Sequence, residues 1–204
     1  MTEPWGTMIR GYSEELAKLG FVATIPRYFQ RTNTADANGS AELAMVAPPS
    51  RRDDWQAALA DAVAHAKTLP GVDASRVGLL GFSLGGHLCL RLRATTQVLV
   101  EFFAPEFPEY GGIGSSGNPA LHAQIHHGIA DKVVAFSPNA DSIATKLKAN
   151  GAVIELPVIG YPDAGHGFLK SVVGGIPMGG SDEGNAKADA EAKAKTLKFF
   201  TDYL

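Results

Sequence analysis

The apolar run Val77-Gly78-Leu79-Leu80 passes directly into Gly81-Phe82-Ser83-Leu84-Gly85-Gly86, and Leu84 to Arg93 continues with helix-forming residues. A strand that reverses sharply into a helix leaves no space for side chains two positions either side of the turning residue. Gly81 and Gly85 meet that demand, and Gly86 gives further room. Such a turn lifts the Ser83 hydroxyl clear of a sheet edge. It also aims the Leu84 N–H, at a helix N-terminus, toward a developing oxyanion. Five letters of the form G-x-S-x-G also arise by chance, as an ordinary glycine-rich turn with a surface serine. The flanking strand and helix, with the downstream partners described below, favour a nucleophile.

The rest of the chain sets this turn in an α/β pattern. Ile9, Tyr12, Leu16 and Leu19 recur at helical spacing, and Gly20 stands where a C-cap would. Phe21 to Ile25 reads as a short strand closed by Pro26, and residues 27–49 as a loop. Ser50 with Asp53 resembles a capping box for a helix reaching about Leu69 through Trp55, Leu59, Ala62 and Ala66. Strands are expected at Arg76–Leu80, Val98–Phe103, Leu121–His127 and Ala152–Ile159. Helices are expected over Leu84–Arg93, from Ser137-Pro138 as N-cap and N1 to about Ala149, and over Glu183–Leu204. Strands alternating with helices predict a mostly parallel sheet covered on both faces. With no repeat and no linker, residues 1–204 are expected to form one domain.

A serine hydroxyl is a poor nucleophile until a base takes its proton. In this kind of fold the base is a histidine oriented by a carboxylate, in chain order Ser, Asp, His. Asp131 follows a strand and the short turn His127-Gly128-Ile129-Ala130. His166 lies in Asp163-Ala164-Gly165-His166-Gly167-Phe168, just after the last strand. Both fall where parallel strands end, which is where ligands bind in such sheets. The rival acids are Asp163, on the same loop as His166, and Asp141, inside a predicted helix. Among the histidines, His65 sits on a helix, His87 lies just past the turn, and His126 and His127 finish a strand. His122, His126 and His127 have ligand-like spacing but no helix or acidic partner, so no metal is expected. The Gly111–Gly117 stretch contains no G-K-[ST], which argues against a phosphate loop. Cys89 falls on an apolar stripe and is expected to pack.

Composition removes other classes. Hydrophobic residues make up 45% of the 204, enough for a sizeable core, and the net charge of −3 gives no reason to expect nucleic acid or an anionic membrane. One cysteine cannot form an internal disulfide and fits a reducing compartment. There is no apolar run of about 20 residues and no basic start followed by an apolar core. The expectation is a cytoplasmic protein, monomeric or homodimeric, acting on a small molecule without a cofactor.

Taken together, Gly81–Gly86, His127–Asp131 and Tyr161–Phe168 resemble the dienelactone hydrolase family, as do Glu3-Pro4-Trp5-Gly6, Tyr12, Leu16, Gly20–Ala23 and Pro26. The likeness spans nearly the whole chain and is least specific across Ala104–Pro119. It implies an α/β-hydrolase-like fold and hydrolysis of carboxylic esters or lactones. The family's type members open an enol-lactone, and many relatives are carboxylesterases. Three departures carry consequences. Ser83 stands where the type members have cysteine, and Glu3 corresponds to a glutamate that contacts that thiol. Thr2–Gly6 corresponds to the loop after the third strand, which implies that the first strands of the family fold are missing here. That third strand would lie between Phe21–Ile25 and Arg76–Leu80. The second oxyanion N–H would come from Pro4, which has none, so Trp5 is the substitute.

The expected machinery is therefore Ser83 as nucleophile, His166 as base, Asp131 as its orienting acid, and Leu84 with Trp5 as oxyanion donors. Glu3, Phe82, Phe103 and Phe168 are candidates for substrate contact, the aromatic ones equally for the core. The 104–119 loop is read as a lid, a substrate-selecting loop or a tolerated insertion. A catalytically impaired relative serving as an interaction module is the alternative.

Overall fold

The computed structural model describes residues 5–34, 49–108, 111–115, 117–154 and 158–204. They fall into two compact units, residues 1–75 and 76–204.

In the first unit, helix α1 (Trp5–Lys18) buries Gly6, Met8, Tyr12 and Leu16. The buried stripe thus runs Met8, Tyr12, Leu16 and leaves Leu19 50% exposed beyond the helix end. Gly20 has φ 92°, and the Phe21 N–H reaches back to the Leu16 carbonyl at 3.2 Å, closing the helix as its sequence suggested. Phe21–Ile25 is not a strand: residues 21–27 have no regular secondary structure and residues 22–25 are exposed. A strand needs a ladder partner, and none of the described residues of this unit forms one. A 3-10 turn (Tyr28–Thr32) packs with helix α2 (Pro49–Ala66). The buried Trp55 donates its indole N–H to Thr32 Oγ1 at 2.7 Å and meets the Phe29 ring edge-on at 4.9 Å. Helix α2 begins at Pro49, so Ser50 lies in its first turn rather than capping it.

The second unit is a parallel sheet. Strand β1 (Gly78–Phe82) pairs with β2 (Val98–Phe102), which pairs with β3 (His122–Gly128). Of the expected strand over residues 152–159, residues 155–157 lie outside the described set. Strand β4 (Val153–Ile154) pairs with the start of β3, and β5 (Ile159–Tyr161) with its end. Every residue of β2 is buried, as expected of a parallel strand covered on both faces. Helices α3 (Leu84–Leu92), α4 (Phe136–Ala149) and α5 (Asp182–Tyr203) supply the cover. In α4, Ser137 is extended (φ −103°, ψ 132°), so the regular helix starts at Pro138, with Ser137 in the N-cap position. The Ser181 hydroxyl caps α5 by accepting the Gly184 N–H at 2.9 Å. A small antiparallel hairpin, β6 (Val172–Val173) and β7 (Ile176–Pro177), lies between β5 and α5. Ser83, Phe103, Asp131 and His166 follow β1, β2, β3 and β5 respectively, so all four sit beyond the carboxyl ends of parallel strands.

Candidate active site

Ser83 is the turning residue, with φ 51° and ψ −121°. A non-glycine residue held there costs about 1–3 kcal/mol, and such strain collects at functional positions. Two bonds fix the turn: Ser83 N–H to the Phe102 carbonyl at 2.9 Å, and His87 N–H to the Ser83 carbonyl at 3.1 Å. A Cβ at Gly81 would lie 2.5 Å from the Gly85 carbonyl oxygen and 2.7 Å from Gly86 Cα, so the glycine is a steric requirement. Leu84 is the first residue of α3.

The three residues named from sequence come together in the second unit. His166 Nε2 is 3.1 Å from Ser83 Oγ, and its Nδ1 is 2.8 Å from Asp131 Oδ2. Asp131 Oδ1 accepts the N–H groups of Val133 and Val134, each at 2.8 Å. An ionised Asp131 accepts Nδ1–H, which leaves the Nε2 lone pair facing the serine proton. Burial pushes the Asp131 carboxyl up, but hydrogen bonds from His127 and His166 outweigh it and hold the group below the usual range. His166 hangs on a tied loop: its N–H donates to the Met178 carbonyl at 2.8 Å, and the Gly165 N–H to the buried Asn185 Oδ1 at 2.8 Å.

The rivals have other employment. Asp163 receives the Ser181 hydroxyl and N–H ahead of α5. Asp141 is on α4, and His65 lies in the last turn of α2. His87 Nδ1 meets the Pro105 carbonyl at 3.1 Å. His126 lies between Tyr161 Oη at 3.0 Å and Gln124 Oε1 at 2.8 Å, and burial pulls it down to about 3, so it is neutral. Consecutive strand residues face opposite sides of a sheet, so His126 and His127 cannot share a metal. His122 stacks on Tyr203 at 4.2 Å. Cys89 is buried and its thiol is pushed up to about 12, which keeps it protonated at neutral pH.

The aromatic candidates divide. Phe103 and Phe168 are buried, their rings 5.3 Å apart, and Phe103 lies 4.7 Å from the His166 imidazole. They form a backing for the histidine rather than an open surface. Phe82 is half-buried and contacts Phe102 at 4.8 Å. Glu3 lies outside the described residues, and Trp5 opens α1 of the first unit, half-buried. Sequence reading passed over Ile129 and Val133, which flank Asp131 and are 50% and 37% exposed. Apolar residues two positions either side of the acid were the available signal. Within the 104–119 loop, residues 104–107 and 112–113 are buried. Arg93 donates to the carbonyls of Ile113 at 2.5 Å and Gly114 at 2.8 Å, and Lys146 pairs with Glu106. Those parts are anchored, unlike a free lid.

A sharp strand-to-helix turn at Ser83, with His166 and Asp131 beside it at the carboxyl edge of a parallel sheet, is the arrangement of an α/β-hydrolase-like fold. A model of the dienelactone hydrolase family matches residues 1–204, and the chain belongs to that family. It is 26% identical over 205 residues to a Synechocystis protein provisionally named carboxymethylenebutenolidase, covering 93% of this chain and 78% of that protein. Among solved structures it is similar to a dienelactone hydrolase-like promiscuous phosphotriesterase from metagenomic libraries. That match has a TM-score of 0.70 at 21% identity and covers 97% of this chain and 81% of the other. A Klebsiella pneumoniae protein provisionally named dienelactone hydrolase matches with a TM-score of 0.64 at 21% identity, covering 97% and 82%. The chain is thus a hydrolase by family. No described helix is long and apolar enough to cross a membrane.

Proposed function

We propose that this protein hydrolyses small carboxylic esters or lactones through an acyl-enzyme on Ser83. The observation that carries this reading is the continuous chain from Ser83 Oγ through both ring nitrogens of His166 to Asp131, with contacts of 3.1 and 2.8 Å. Ser83 Oγ attacks the carbonyl carbon while His166 Nε2 takes its proton. Asp131 holds the imidazolium, and the Leu84 N–H at the start of α3 donates to the oxyanion. His166 protonates the leaving alkoxide, then deprotonates the water that releases the acid. One oxyanion donor is typically worth about 10²–10³ in rate. The assignment of Trp5 as the second donor rests on the sequence resemblance.

A panel of p-nitrophenyl acetate, butyrate and octanoate, a five-membered enol-lactone and an aryl dialkyl phosphate tests the substrate class. Turnover of the short esters or the lactone is expected, with the phosphate triester slower. Turnover of the phosphate alone would contradict the carboxylic-ester reading. A folded protein inert to the whole panel would favour the non-catalytic alternative.

A further inference from the structure

Glu101 is a carboxylate in the middle of a fully buried strand and is itself 0% exposed. Its Oε2 accepts the Ala104 N–H at 2.9 Å, and its Oε1 has no hydrogen-bond partner. It packs beneath the nucleophile turn: a Cβ built on Gly86 would come 3.5 Å from Glu101 Oε2 and 2.9 Å from Ala104 Cβ. The residue between Glu101's strand and Ala104 is Phe103, held at φ 42° with its ring 4.7 Å from the His166 imidazole. The Glu101 bond to Ala104 therefore closes the strained turn that backs the catalytic histidine.

The same carboxylate has a second reach. Glu101 is in register with Ile125, and His127, two residues on, shares that face of the sheet. His127 Nε2 lies 2.9 Å from the Val134 carbonyl and 3.5 Å from Asp131 Oδ2, so the carbonyl is its main acceptor and Nε2 keeps its hydrogen. His127 Nδ1 is buried with no hydrogen-bond partner, and is the nitrogen left to gain or lose a proton. Titratable groups facing Glu101 are Cys89 from α3 and His127 from β3. His127 faces Glu101 from β2 and Asp131 from the turn after β3, and meets the edge of Phe136 from α4 at 5.6 Å.

We propose that Glu101 is a positioning residue for the candidate triad: it holds the Phe103–Ala104 turn against His166, and through His127 it sets the charge beside Asp131. This rests on the acyl-enzyme reading above. Burial pushes the Glu101 carboxyl up to about 7, against the pull of His127 and the Ala104 N–H. Burial pulls His127 down, but Asp131 and Glu101 outweigh it and its net shift is upward. The ionised form of each group therefore favours the ionised form of the other. A proton on His127 places a positive charge next to the Asp131 oxygen that holds His166, and an ionised Glu101 offsets it.

Two measurements on the full chain test this. The first is a histidine-selective NMR titration of wild type and Glu101→Gln, which is independent of catalysis. Removing the carboxylate charge is expected to lower the His127 midpoint by about half a unit or more. The second is the rate of fluorophosphonate labelling at Ser83 per folded molecule. Glu101→Gln keeps an acceptor for Ala104 and should stay within about threefold of wild type, whereas Glu101→Leu loses the turn and should fall about tenfold or more. An unchanged His127 midpoint in Glu101→Gln, or a wild-type labelling rate in folded Glu101→Leu, overturns the proposal. A shifted His127 midpoint in a protein that never labels at Ser83 supports the Glu101–His127 coupling and counts against the acyl-enzyme reading alone.

Discussion

Ester turnover by the Ser83→Ala protein is expected to fall by about 10⁴-fold or more, and the His166→Ala protein to fall comparably. The double variant should be no worse than either single one, because nucleophile and base act as a unit. The proposed mechanism requires this coupling: His166 Nε2 lies 3.1 Å from Ser83 Oγ, and in that mechanism neither group acts without the other. Both side chains sit on turns held by backbone bonds, so the variants should melt close to wild type. Steady-state kinetics on the best ester of the panel, with circular dichroism as a folding control, reads the outcome. A His166→Ala protein within tenfold of wild type would mean that another base serves Ser83.

The second large effect is on stability. Gly179 has φ +93°, and a Cβ there would fall far inside van der Waals contact with the Ala130 carbonyl oxygen, with Lys132 Cγ 3.3 Å away. The backbone at this point joins the two loops of the site. The Met178 carbonyl accepts the N–H groups of both His166 and Lys132, and the Gly179 carbonyl accepts the Asn185 side-chain amide at 3.1 Å. An alanine must therefore adopt a left-handed conformation and also push the Asp131 turn away from the His166 loop. The expected cost is about 3 kcal/mol or more, a drop on the order of 10 °C in Tm, together with loss of activity. Gly174, with φ +58° and nothing within 4 Å of its Cβ direction, is the control for strain without a clash, and its alanine variant should lose only about 1 kcal/mol. Equal melting temperatures for the two variants would contradict this account of the loop.

The geometry of the candidate site was more legible in the sequence than its surroundings. A Cβ at Gly81 would strike the turn's own backbone, and one at Gly86 would press on Ala104 at 2.9 Å, so these two glycines are written into the chain by sterics. Asp131 and His166 could be placed because each follows a recognisable apolar run, and they meet in space for the reason that parallel strands end on one side. Phe21–Ile25 misled because a run with four apolar residues out of five fits a strand without saying whether a neighbour exists to pair with. Within the run 152–159, Val153–Ile154 and Ile159 pair parallel and in order along β3, with residues 155–157 outside the described set. Phe103 and Phe168 were equally compatible with pocket and core, and only packing could separate these. Glu101 carried a signal that went unused: a lone charge inside Val98–Phe103 must be buried if the strand is covered on both faces. His127 was read correctly as a strand ending, but its contact with Asp131 depends on how the turn folds back.

The most direct test of the central claim is to incubate the protein with a fluorophosphonate probe and locate the adduct by peptide mass spectrometry, beside Ser83→Ala and His166→Ala. The account predicts a single adduct on the peptide carrying Ser83, absent from both variants. A folded wild-type protein that acquires no adduct, or one that is labelled elsewhere and equally in all three proteins, would contradict it.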